Sequence, residues 1–172
     1  MDASEPVLRG ERVTLRPLAE DDLPRLLEIL LQPGIAEWWP SYDMPRLRAD
    51  TMEDPNGTSL AIEYEGQFAG LVIVTEQPDP FYKSAGLDIA LDASIVGQGL
   101  GGDALRTVIR HLFEDLGHHR ITIDPSLANE RAIRAYERVG FKRIGVARDY
   151  EKGSDGTFHN NLLMDMLAGE LS

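Results

Sequence analysis

Val96-Gly97-Gln98-Gly99-Leu100-Gly101-Gly102 lies between an apolar run at residues 87–91 and a helical pattern, and four of its seven residues are glycine. Without a Cβ in the way, backbone amides can approach a ligand closely. The first N–H groups of the helix that begins here are unpaired and carry partial positive charge. Together these features make a seat for phosphate. Leu100, Ala104, Leu105, Val108, Ile109, Leu112, Phe113 and Leu116 recur at spacings of three and four, which predicts the helix, with Gly117 as its C-cap. A tight turn closing a strand onto a helix would use the same residues, so the loop alone does not decide the chemistry. It is no Walker A loop, because Gly-Lys-Ser and Gly-Lys-Thr are both absent. A Rossmann fingerprint fits badly, since no full set of alternating strands and helices precedes the loop.

Working outward, residues 12–17 alternate apolar with polar side chains and read as a strand ended by Pro17. Asp21 and Asp22 open an amphipathic helix through Leu23, Leu26, Leu27, Leu30 and Leu31, stopped by Pro33-Gly34. Residues 45–52 suit a short helix. Residues 59–63 and 68–75 are β-rich runs joined at Glu65-Gly66, and residues 85–91 form the strand that feeds the glycine loop. Beyond the long helix come a strand at 120–123, a helix at 129–139 capped by Gly140, and a strand at 141–146. A polar turn at 150–157 and a last strand at 158–167 follow, and no internal repeat appears.

The composition narrows the function classes. At 172 residues, with no linker-like tract, the chain reads as one domain with a sizeable core. It has no cysteine, which excludes disulfides, thiolate metal sites and a cysteine nucleophile. No set of His, Asp and Glu has ligand spacing, so no metal is expected. The formal net charge of −12 argues against a nucleic-acid partner, and the lack of an N-terminal apolar run argues against a signal peptide or membrane span. A cytoplasmic protein is the expectation. Two features remain to be explained. Trp38 and Trp39 are adjacent, so in a strand they could not both face one core; one is exposed or lines a cleft, or both pack on a neighbouring helix. Asp88 sits inside an apolar strand, where a charge is expensive unless solvated or paired, and it is either part of a site or at a wet edge.

Two segments resemble the GNAT superfamily of acyl-CoA-dependent N-acyltransferases. Its pyrophosphate loop, Arg or Gln, two residues, Gly, one residue, then Gly or Ala, is similar to residues 96–101, with Gly99 and Gly101 matching and Val96 departing. The departure removes a side-chain contact and leaves the backbone cradle. The second segment is Asn129-Glu130-Arg131-Ala132-Ile133-Arg134-Ala135-Tyr136-Glu137-Arg138-Val139-Gly140-Phe141, which resembles the family's Asn, two residues, Ala-Ile, two residues, Tyr-Glu, two residues, Gly-Phe. The likeness spans residues 12–167.

The resemblance implies an α/β protein of the α+β mixed-sheet kind, its mostly antiparallel sheet flanked by helices and its fourth and fifth strands, residues 87–91 and 121–124, splayed around acetyl-CoA. Ile89, Ala90, Leu91, Val96, Gly97, Gln98, Gly99, Leu100, Gly101 and Gly102 would bind that co-substrate, and Asn129 would contact it or cap the helix that follows. A backbone N–H near Ile89 to Leu91 would polarise the thioester carbonyl. Tyr136 would protonate the departing thiolate, which a phenol can do if held close.

Residues Ile35-Ala36-Glu37-Trp38-Trp39, Gly86-Leu87-Asp88 and Ile123-Asp124-Pro125-Ser126 further resemble aminoglycoside 6'-N-acetyltransferases. With no cysteine and no Gly-x-Ser-x-Gly elbow, direct attack by a bound amine is the simpler mechanism. The likeness implies a small polycationic antibiotic as that amine, with Asp88 as the base or an acid linked to it, Asp124 on an ammonium group, Trp38 or Trp39 as a wall of the cleft, and Glu37, Glu76 and Asp79 as further acceptor contacts. Resistance to the antibiotic would follow, in a monomer or homodimer. The opening strand and the second segment equally resemble enzymes that acetylate ribosomal-protein N-termini or polyamines.

Overall fold

The structure, a computed structural model, describes residues 6–172. Its strands are β1 (Leu8–Arg9), β2 (Val13–Pro17), β3 (Gly57–Tyr64), β4 (Gln67–Gln77), β5 (Ser84–Leu91), β6 (Arg120–Ile123), β7 (Lys142–Lys152) and β8 (Phe158–Leu167). Four helices accompany them: α1 (Leu23–Leu30), α2 (Met44–Met52), α3 (Leu100–Glu114) and α4 (Glu130–Val139). The strands form one sheet in the order β1-β2-β3-β4-β5-β6-β8-β7. Every neighbouring pair is antiparallel except β5 and β6.

Side chains alternate across a strand, so each face of the sheet collects its own core. On one face Leu15, Ile62, Val72, Val74 and Leu87 meet Leu105, Val108, Ile109 and Leu112 of α3. On the other, Ala61, Leu71, Ile73 and Ala90 meet Leu23, Leu26 and Leu30 of α1 and Leu47 of α2. With both faces covered, the middle of β4 is buried without interruption from Ala69 to Val74.

The single parallel pair shapes the site. β5 and β6 share only two register positions, Ala85 with Ile121 and Gly86 with Thr122. Beyond Gly86 the strands part, and the rest of β5 has a partner only in β4. The backbone N–H of Asp92 donates to the Ala69 carbonyl of β4 at 2.8 Å. Alternation therefore turns the backbone groups of Ala90 and Asp88 toward β4, and those of Leu91 and Ile89 toward the opening. The glycine loop at the end of β5 is tied down by the turn between β1 and β2, which lies at the same end of the strands. The Asp103 carboxylate, in the first turn of α3, accepts the N–H groups of Glu11, Arg12 and Val13 at 2.9, 2.7 and 3.0 Å. The Arg12 guanidinium donates to the Gln98 carbonyl at 2.6 Å.

Three expectations need correction. The strand Leu8–Arg9 precedes the one read as first, so the splayed pair is fifth and sixth here; two residues offer no alternation to read. Helix α3 ends at Glu114 with Asp115 as C-cap, and Gly117, at φ 68°, turns the chain two residues later. The turn expected at 150–157 is shorter, because β7 runs on to Lys152 through a bulge between Ala147 and Glu151, where Asp149 has φ 46°. Both faces of β7 are mostly exposed, so no apolar alternation marked its length.

Candidate active site

Two cavities open where β5 and β6 part. The first, about 370 Å³, is lined by Ile89, Ala90 and Leu91 of β5, by Val96, Gly97, Gly99, Gly101 and Gly102, and by the facing side of α4. Gly97 and Gly99 hold left-handed φ values of 89° and 81°, and Gly99 is the N-cap of α3. Among the described residues, the charged ones that line this cavity are three arginines, Arg106, Arg131 and Arg138. A Cβ on Gly97 would lie 2.8 Å from Arg131 Nη2, and one on Gly102 would lie 2.7 Å from Arg106 Nη1. The guanidinium groups thus rest directly on the glycine backbone. Among the described residues, Arg131 and Arg138 have no ion-pair partner. Free guanidinium groups, glycine amides and a helix N-terminus make a seat for a phosphorylated ligand.

The second cavity, about 570 Å³, has the opposite charge. Asp50 and Asp54 from the α2 side, Asp88 of β5, Asp124 after β6 and Glu151 of β7 line it, and among the described residues no lysine, arginine or histidine does. Tyr42, Tyr150, Trp38 and Trp39 complete its walls. Trp38, Trp39, Ile89, Asn129 and Tyr136 line both cavities, so an anionic and a cationic ligand would meet between β5 and α4.

Electrostatics mark three groups at this junction. Asp88 is open to the cleft but surrounded at short range by protein, and it has no hydrogen-bond or ion-pair partner among the described residues. Burial, then the charges of Asp124 and Glu151, push its pKa up to about 7. Asp124 is also raised, first by burial; the Tyr150 hydroxyl beside it works in the opposite direction. Burial, then Asp88 and Asp124, raise Tyr136, so its phenol stays protonated. A carboxylate that can take a proton near neutral pH shares this cavity with a hydroxyl that holds one.

Residues 12–142 match the family model described as Acetyltransferase (GNAT) domain. The chain belongs to the GNAT acetyltransferase family. Aminoglycoside N(6')-acetyltransferase type 1 of Klebsiella pneumoniae is 34% identical over 157 residues, spanning 80% of this chain and 77% of that protein. Spermidine N(1)-acetyltransferase of Escherichia coli (strain K12) is 23% identical, over 88% and 84% of the two chains. Among solved structures, aminoglycoside acetyltransferase AAC(6')-Ib in complex with coenzyme A and kanamycin superposes with a TM-score of 0.75 at 29% identity, covering 91% of this chain and 95% of that one. As a GNAT enzyme, this chain is an acyltransferase that uses acetyl-CoA. The arginine and glycine cavity fits that co-substrate, offering charge to its phosphates and unbranched backbone to its pyrophosphate.

Most of the expected site residues gather here. Asp88, Asp124, Tyr136, Trp38 and Trp39 line the acidic cavity, and Ile89, Ala90, Leu91, Val96, Gly97, Gly99, Gly101 and Gly102 the basic one. Asn129 lines both and also caps α4, its side chain accepting the Ala132 N–H at 3.3 Å. Five do not line either cavity. Leu100 is buried in the core, and Gln98 gives its carbonyl to Arg12. Glu37 is exposed beside the tryptophans. Ile73 and Thr75 face the acidic cavity, so Glu76, one residue on, faces the other side of the sheet and pairs with buried His118 at 2.8 Å. Asp79 accepts the Phe81 N–H at 2.9 Å in its own turn.

Sequence reasoning missed the three arginines and Asp50, Asp54 and Glu151. Arg131 and Arg138 are seven apart on α4 and therefore share a face, a signal that was available. The loop yields a prediction. Gly99→Val forces a branched side chain into a left-handed backbone at about 1–2 kcal/mol, so the KM for acetyl-CoA rises by about tenfold. Calorimetric titration of acetyl-CoA into the variant checks this, and unchanged affinity contradicts it.

Proposed function

We propose that this enzyme acetylates a primary amine of an aminoglycoside antibiotic, the 6'-amino group, and thereby confers resistance. The observation that carries the reading is the acidic cavity: among the described residues it is lined by five carboxylates, of which Asp50 also pairs with Arg46 at 3.7 Å, and by no cationic side chain, and it meets the acetyl-CoA cavity at Tyr136. An acceptor with several ammonium groups is complementary to it, and a neutral or anionic acceptor is not. The Klebsiella relative and the kanamycin-bound neighbour support the antibiotic as that acceptor.

When bound, acetyl-CoA supplies the acetyl group as a thioester. Asp88 accepts the proton that the acceptor ammonium must lose, directly or through water. The freed nitrogen forms the new C–N bond as the C–S bond breaks. The N–H groups of Ile89 and Leu91, turned away from β4, are the donors available to the carbonyl oxygen. Tyr136 supplies the proton that the leaving sulfur takes, and the second proton of the acylated nitrogen is shed to water as the neutral amide forms, restoring the phenol through solvent. An ammonium beside Asp88 and Asp124 offsets the two charges that raise Tyr136, so acceptor binding makes the phenol a better acid.

Asp124 holds a second ammonium group in this reading. A charge-assisted contact contributes on the order of 1.5–3 kcal/mol. Asp124→Asn is therefore expected to raise the kanamycin KM roughly tenfold to a hundredfold, with kcat less affected. Thiol release with kanamycin, spermidine and a short peptide tests the assignment itself. A linear polyamine also carries several charges, and the spermidine acetyltransferase relative favours it as the second reading. Preference for kanamycin supports the first reading. Activity on spermidine or the peptide alone replaces it.

A further inference from the structure

Two adjacent asparagines of β8 hold the acidic end of the acceptor cavity together. Asn161 is 1% exposed. Its Nδ2 donates to the Asp124 carbonyl at 2.8 Å and to Glu151 Oε2 at 3.0 Å. Next to it, Asn160 Oδ1 accepts the N–H of Asp149, the left-handed residue of the β7 bulge, at 2.9 Å. Backbone bonds lock the same region: Leu127 N–H to the Asn160 carbonyl at 2.9 Å and Leu162 N–H to the Pro125 carbonyl at 2.8 Å. The segment that carries Asp124 and the strand that carries Glu151 thus meet through β8.

The orientation of the Asn161 amide is decided by chemistry. Both groups facing Nδ2 are acceptors, so only the NH₂ end, with two protons, can satisfy them. Oδ1 is left buried and without a partner among the described residues, and the amide still points this way. Glu151 would otherwise be a long exposed side chain, repelled by Asp88 and Asp124 and free to turn into solvent. The bulge brings it to the cavity rim, and the buried amide keeps its carboxylate there.

We infer that Asn161 is a positioning residue for acceptor specificity: it holds Glu151 beside Asp124, so that a multiply charged acceptor meets a third fixed carboxylate as well as Asp88 and Asp124. This rests on the amine-acceptor reading above. Asn161 touches no substrate in this assignment and acts through Glu151.

The test is a double-mutant cycle on the full chain, with kanamycin and a sugar bearing one amine as acceptors. Asn161→Ala and Glu151→Gln should each raise the kanamycin KM by about tenfold, while the double variant rises no further, because both remove one interaction. The KM for acetyl-CoA should hold, and the KM of the one-amine sugar should move less than that of kanamycin. An unchanged kanamycin KM in Asn161→Ala, or a double variant equal to the product of the singles, overturns the inference. If Asn161→Ala does not fold, NMR of the Asn161 side-chain amide in the parent and in Glu151→Ala decides. A shifted signal in the variant and on kanamycin titration supports the assignment, and an unmoved one overturns it. A parent enzyme that acetylates no multi-amine acceptor fails before any variant is made, and that outcome overturns the functional reading itself and this inference with it.

Discussion

Asp88→Asn is expected to lower kcat by about a hundredfold or more, the scale of lost general-base catalysis, while leaving the KM for acetyl-CoA nearly unchanged. The pH profile identifies the cause. In the parent, kcat/KM should fall tenfold per pH unit below about 7, where Asp88 takes up its proton and can no longer receive one from the acceptor. In the variant this acidic limb should disappear. Stability should move the other way. Folding raises the Asp88 pKa from 3.8 to about 7, so the native protein binds this proton more tightly than the unfolded chain does. The resulting stabilisation is full below pH 3.8 and is lost as pH rises through 7. Above pH 7 the parent carries a charge disfavoured by burial and by Asp124 and Glu151, and the neutral amide of the variant escapes that penalty. The melting temperature of Asp88→Asn at pH 8 should therefore exceed that of the parent, by an amount reduced by the solvent open to this carboxylate. A slower enzyme that is also more stable is the signature of a charge kept for catalysis. A variant with parental kcat would assign proton removal to another group.

How far this site could be read from sequence depended on the distance over which each part is determined. The glycine loop and α4 are local: strand, loop, helix and caps are each written within about a dozen residues, and Asn129 and Gly140 stand at the ends of α4 in the structure. Asp88 was conspicuous because an acid interrupts an apolar strand. That it faces Asp124 is a long-range fact, set by the two register pairs that join β5 to β6 before they part, and only the family resemblance carried it. Glu76 shows the opposite outcome. It is close in sequence to the cavity residue Thr75, but the two-residue period of a strand sends neighbours to opposite faces, and a boundary uncertain by one residue reverses the assignment. Glu151 was hidden for a related reason. A bulge in a mostly exposed strand aims it at the cavity, and neither the bulge nor the asparagines that hold it leave a hydrophobic pattern.

Tyr136→Phe is the companion experiment, and its expected loss is of similar size, about a hundredfold in kcat. Tyr136 packs edge-on against Phe141, with ring centroids 6.2 Å apart, and its ring also lies against the core shared with α3. Phenylalanine keeps those contacts, so stability and acetyl-CoA affinity should change little. What it removes is the hydroxyl at the junction of the two cavities. The leaving sulfur must then depart without a placed proton, a deficit felt only in the transition state, so kcat and kcat/KM should fall together. The dependence on leaving group separates this role from mere packing. A less basic thiol needs less protonation to depart, so an acetyl thioester carrying such a thiol should lose far less rate in Tyr136→Phe than acetyl-CoA does. Measuring kcat for both donors in parent and variant checks this. Equal losses with the two donors would make Tyr136 a structural residue, with solvent left to protonate the sulfur.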